Sequence, residues 1–173
     1  MESASVQESP AVLLERLITA TNAHDLDGLV DCFEPGYVNE TPAHPARGFV
    51  GREQVRTNWQ QIFAAVPDLH ATVLRSAVAA EAVWAEMEMS GVRRDGSRHL
   101  MRGVNIFGVA DGRAVWSRFY MEMVLRDGLG IDAALASQLG AGHDSRGGRN
   151  RPAGDTRRRR ADGTGGTGSH SDP

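Results

Sequence analysis

The sequence predicts an α+β domain, helices first and an antiparallel sheet after them. Two observations carry this. Residues 10–66 place apolar side chains at helical spacing, broken by Pro and Gly, whereas residues 69–124 alternate with period two between turn dipeptides. After Leu139 the composition turns to Gly, Arg, Ser and Asp with almost nothing to bury, which bounds one body at 10–139.

Val12, Leu13, Leu17, Ile18 and Ala20 form the stripe of a first helix over 10–23, with Pro10 suited to its first turn. Asp25 caps a short second helix holding Leu26, Leu29 and Val30, which Pro35-Gly36 stops. A short strand, Tyr37–Thr41, follows, and then a loop with Pro42, Pro45 and Gly48. Val55, Trp59, Ile62, Phe63 and Val66 mark a third helix from Arg52 to Ala65, ended by Pro67. Four strands are expected near 69–79, 82–92, 99–109 and 113–124, with Asp95-Gly96 and Asp111-Gly112 as turns. A last helix near Ile131–Leu139 would cap an open end.

At 173 residues and 40% apolar content the chain suits one soluble domain with a real core. No run of 18 apolar residues suggests a membrane span, and the polar start MESASVQESP lacks a secretory pattern, so a cytoplasmic location is the default expectation. The single cysteine, Cys32, excludes an internal disulfide and reads as a small buried side chain. All 19 basic residues are Arg, and they divide unevenly. Residues 1–139 hold 12 Arg against 18 Asp plus Glu, and residues 140–173 hold 7 Arg against 4 Asp. Residues 1–9 and 140–173 are expected to be disordered, because they cannot offset their ordering entropy. Arg157–Arg160 reads as solvated tail and not as a specific nucleic-acid site. Close His or Cys pairs, HExxH, GxGxxG, the P-loop and GxSxG are absent, so no metal or other cofactor is implied.

Alternation assigns faces. Ser117, Phe119, Met121 and Met123 share one side of the last strand, and Val83, Ala85, Met87 and Met89 share one side of the second long strand. These apolar sides are expected to enclose a pocket for a small apolar organic ligand, walled by Met87, Met89, Met101, Phe107, Phe119 and Met121, with Trp59 and Phe63 from the third helix. The opposite side carries Trp84, Trp116, Arg118 and Tyr120. That is too much aromatic area for water, so a homodimer contact is expected there, with burial under the chain's own termini as the alternative. Arg118 is expected to pair with Glu86 or Glu122.

Few polar groups fall inward. Val38 and Glu40 are assigned to the pocket face, which makes Glu40 a candidate acid or base whose pKa burial would raise; a solvated strand-end carboxylate is the equal alternative. Asp68 and His70, two apart, make a candidate acid–base pair, although turn carboxylates commonly cap backbone groups. Asn105 lies among Met101, Gly103 and Phe107, where an unpaired amide costs about 1–3 kcal/mol. It is expected to orient a ligand oxygen, a water or a neighbouring backbone group. His44 and Arg47 stand in a loop that would roof the pocket, His44 as a partner for Glu40 and Arg47 as an anion contact. His24 and His99 read as turn and strand-end residues.

The order of helix, helix, strand, helix and four-stranded meander resembles the SnoaL-like branch of the nuclear transport factor 2-like superfamily, which shares its fold with cystatin-like proteins. TNAHDLDGLVDCFEPGYV resembles its first helical hairpin, GREQVRTNWQQIFAAVPDL its third helix ending in Pro-Asp, and ADGRAVWSRFYMEMV its final strand. The resemblance covers residues 10–139. It implies a cone-shaped, curved antiparallel or mixed sheet packed on three N-terminal helices, a dimer, and a pocket that serves cyclases, dehydratases, isomerases or proteins that only bind. Cyclases of this branch tend to place a His on the first strand, where this chain has Glu40. The Arg-x-Asp and Asp of limonene epoxide hydrolases align with Met87, Met89 and Phe119, so that route is not expected here.

Overall fold

The computed structural model describes residues 9–140. Apart from Ser9 and Gly140, the segments expected to be disordered, including Arg157–Arg160, lie outside the described residues. The described chain divides after Asp127.

The first unit opens with α1 (Pro10–Asn22), α2 (Leu26–Asp31) and β1 (Phe33–Glu40). Ser9 caps α1 by accepting from Ala11 N, with Pro10 following as an N-terminal residue that needs no partner. Asp25 caps α2 by accepting from Gly28 N at 3.0 Å. A 3-10 turn (Pro45–Arg47) and a two-residue β2 (Phe49–Val50) precede α3 (Arg52–Ala65). The meander follows as β3 (His70–Ala79), β4 (Ala82–Val92), β5 (Arg98–Ala110), β6 (Arg113–Phe119) and β7 (Glu122–Met123). Asp111 and Gly112 both have positive φ, 49° and 72°, as a primed hairpin turn between β5 and β6 requires. The second unit holds α4 (Ile131–Leu139), ended by Gly140 at φ 68°.

The sheet runs β2-β1-β6-β5-β4-β3, with β7 beside β5. It is mixed, because β1 lies parallel to β6 while the other pairs are antiparallel. The fold is therefore the expected α+β architecture, a curved, unclosed sheet with helices. Leu13, Leu17 and Leu29 from the helices meet Val83, Ala85, Met87 and Phe107 from the sheet in one apolar core. Each such large side chain contributes about 1.5–3 kcal/mol by leaving water. Asn22 pins α1 to β3 by donating to Ala71 O and accepting from Ala71 N.

Three elements differ from expectation. The first strand starts four residues early, at Phe33, and carries Pro35-Gly36 through an irregular stretch between Phe33 and Val38. A proline is tolerated there because a bulge needs no ladder donor. β2 is too short to leave a periodic signal. The last long strand is two strands, broken at Tyr120-Met121. At this break the chain crosses Gly103, where an added Cβ would lie 2.3 Å from Tyr120 O. Only glycine permits that approach, and its φ of 153° is equally unsuited to other residues.

Candidate functional site

A cavity of about 360 Å³ opens between the helices and the concave sheet. Leu17, Ile18 and Thr21 of α1 and Val55, Asn58, Trp59 and Ile62 of α3 form one wall. Met87, Met89, Met101, Asn105, Phe107, Phe119 and Met121 form the other. Arg47, Glu122 and Met123 also line it and are exposed, so they mark its mouth. The volume falls within the usual range of small-molecule pockets, about 300–1,000 Å³.

The buried end carries a chain of neutral polar groups. Tyr37 is 3% exposed and Ser117 0%. Their hydroxyls are 2.5 Å apart, and Asn39 Oδ1 accepts from Ser117 Oγ at 3.0 Å and from Tyr37 at 3.4 Å. Asn39 Nδ2 donates to Thr41 Oγ1 at 3.3 Å. However the Tyr37 and Ser117 protons are arranged, both are used within this group. Thr41 also lines the cavity, and its hydroxyl, which accepts from Asn39, keeps a proton of its own to donate. Burial pushes the Tyr37 phenol up to about 12, outweighing the Ser117 hydrogen bond, so it stays neutral at physiological pH.

Asn105 provides the complementary group. It is 8% exposed, and its Oδ1 is buried without a hydrogen-bond partner. Register sets it opposite Phe119 and Ala85, in the row next to Ser117 and Phe107. An orphaned acceptor on a cavity wall is satisfied by a donor from whatever fills the cavity.

Toward the mouth the polar groups become ionisable. His99 lines the cavity, and its Nδ1 accepts from Arg93 Nη2 at 3.0 Å. A guanidinium only donates, so the ring is neutral with its proton on Nε2. Burial, and then the Arg93 charge, hold the His99 pKa below the ordinary value. Among the described residues Glu122 is the only carboxylate of the lining, and its Oε1 meets His44 Nε2 at 2.8 Å.

The expected apolar wall lies where alternation put it, with Met87, Met89, Met101, Phe107, Phe119, Met121 and Trp59 on the cavity. Phe63 is a correction: it stacks on His24 at 4.5 Å and packs against Trp59 without lining the cavity. Val38 and Glu40 are corrections of parity. Both face outward, and Glu40 Oε2 accepts from Arg118 Nε at 2.8 Å across the β1–β6 pair. The physical reason is area. Burying Phe33 and Tyr37 on one side turns Asn39 and Thr41 inward with them. Arg118 thus pairs with Glu40, not with Glu86 or Glu122, and Glu86 faces Arg75. Asp68 is exposed and accepts from Val92 N at 2.7 Å, the backbone-capping role, while His70 is exposed beside it. Neither reaches the cavity, so they are not an acid–base pair of this site. His44 joins Glu122 at the rim in place of Glu40. His99 is indeed a strand-end residue, yet it lines the cavity. The Phe33-to-Tyr37 spacing was the signal for the inward Tyr37, Asn39 and Thr41. No sequence signal placed Glu122 at the mouth, because it depends on the break at Tyr120-Met121. Trp84, Trp116 and Tyr120 lie on the outer face, at least a third exposed, with Trp116 covering Gly108. Among the described residues no helix is long and apolar enough to cross a membrane, and no three metal-ligating side chains converge.

The family described as a SnoaL-like domain matches residues 14–117. No curated protein sequence matches the chain. Among solved structures, wild-type IdmH of Streptomyces antibioticus, a proposed polyketide cyclase, is 23% identical, with 77% of this chain and 99% of that one covered at a TM-score of 0.58. AclR of Streptomyces galilaeus, a proposed hydroxylase, is 17% identical, with 76% and 92% covered at 0.58. RV0760c of Mycobacterium tuberculosis, solved with estradiol-17β-hemisuccinate, is 20% identical, with 68% and 100% covered at 0.59. At these identities the likeness is one of fold.

Proposed function

The chain belongs to the SnoaL-like domain family, and from that premise we propose that it is a small-molecule pocket enzyme doing cofactor-independent proton transfer. The reaction class is isomerisation, aldol-type cyclisation or dehydration. The substrate is a small, largely apolar, oxygen-bearing molecule of polyketide or terpenoid type. One observation carries the reading: an apolar cavity lined by a buried acceptor without a partner, Asn105, to which the Thr41 hydroxyl adds a donor. Donors fixed before the substrate arrives stabilise developing negative charge on an oxygen without reorganisation. The Thr41 hydroxyl and the His99 Nε2–H are such donors. Glu122 is the base, held by His44. The outer aromatic face, with Trp84, Trp116, Arg118 and Tyr120, serves as a homodimer contact.

A second reading is a binding module without turnover. It is favoured by the self-satisfied Tyr37–Ser117–Asn39 group and by the exposure of Glu122. Deuterium exchange at the α-carbons of 2-tetralone, followed by NMR, separates the two. Exchange above the uncatalysed rate that is lost in Glu122→Gln while binding persists supports the enzyme. Binding with no added exchange leaves the module, and no binding removes both readings.

A further inference from the structure

We propose that the ligand of this cavity is an acid: an apolar body that sits among the methionines and presents a carboxylate to Arg47 at the mouth. This rests on the pocket reading above and adds the ligand's charge. Arg47 lines the cavity, yet no hydrogen bond or ion pair engages its guanidinium among the described residues. The natural candidate to neutralise it is Glu122, the only carboxylate of the lining among the described residues, but that carboxylate is turned to His44 at 2.8 Å. The first acid before it in the chain, Glu40, is on the outer face in the grip of Arg118, and the first after it, Glu53, is exposed in the first turn of α3 and does not line the cavity. Behind the His99 that lines the cavity stands another cation, Arg93, bonded to His99 Nδ1, Ser97 Oγ and Arg98 O, with the Asp95 carboxylate close enough to feel its charge. Among the described residues the lining therefore holds one guanidinium, Arg47, and one carboxylate already engaged by a histidine.

The backbone that carries Arg47 is held in place. The turn that carries it starts at Pro45, and successive backbone bonds run from His44 N to Thr41 O, Arg47 N to His44 O and Gly48 N to Pro45 O. A guanidinium on a fixed turn presents a planar fork that matches a carboxylate with two parallel hydrogen bonds. The polarity of the site is then graded along its length. Neutral groups that suit a hydroxyl or carbonyl lie at the buried end, apolar side chains in the middle, and positive charge where water reaches.

Isothermal titration of the full chain with 2-naphthylacetic acid and with its methyl ester tests this. The acid is expected to bind about tenfold more tightly than the ester, and Arg47→Met to remove that preference by weakening the acid more than the ester. Arg47 is exposed, so the variant keeps its fold. Equal affinity for acid and ester, or a preference that survives in Arg47→Met, overturns the carboxylate assignment and leaves the pocket reading standing. Failure of both probes to bind overturns the pocket reading itself.

Discussion

Replacing Asn105 by leucine should make the protein more stable and a worse binder. Asn105 is 8% exposed and its Oδ1 lies buried without a partner. Leaving such a group unpaired costs about 1–3 kcal/mol. Leucine has similar bulk and no polar atom, and its neighbours across the sheet, Phe119 and Ala85, are apolar. Removing the penalty should therefore stabilise the domain by about 1–3 kcal/mol, with a rise in Tm of roughly 3–6 °C for each kcal/mol at this size. The same change removes the acceptor that the proposed ligand would meet. Affinity for 2-naphthol, an apolar body with one hydroxyl, should fall about tenfold. Urea unfolding, thermal melting and titration calorimetry read the three effects. A variant less stable than the parent would mean that Asn105 is already satisfied. Unchanged 2-naphthol affinity would mean that its acceptor does not face the ligand. Either result refutes the reasoning.

Two titrations should bracket the stability profile. The His99 pKa is held below its ordinary value of 6.5 by burial and by Arg93, so the unfolded chain takes up its proton first. Stability should be fully present above that value and decline as pH falls below it, with the decline reduced in His99→Gln when melting is followed against pH. Tyr37 is shifted the other way, up to about 12, so its contribution is full below 10 and lost as pH rises through the folded value. The two-unit shift corresponds to about 3 kcal/mol, and an absorbance titration should show one phenol ionising only as the protein unfolds. Gly103→Ala should cost at least about 2 kcal/mol in urea unfolding, because its Cβ would meet backbone at Tyr120 O and Met121 Cα and φ is 153°. An undiminished midpoint would show that the β6–β7 break does not need the glycine.

The amino-acid sequence by itself determined the helices, the long strands and the apolar wall. These depend on local periodicity and on turn residues, and Met87, Met89, Met101 and Phe119 fall on one side wherever a strand runs unbroken. Asn105 was legible for the same reason, as an amide on an apolar face. The polar chemistry needed the tertiary structure. Glu40 went outward because Phe33 and Tyr37 together outweigh Val38 for burial, a comparison that requires knowing the strand begins before Pro35. Glu122 reached the mouth because the strand breaks over Gly103, and His99 is a cavity group because β5 begins at Arg98, which puts it on the face of Met101 and Asn105. Periodicity is a property of neighbours in sequence, whereas the direction of a carboxylate at a strand end is decided by which distant partner it meets.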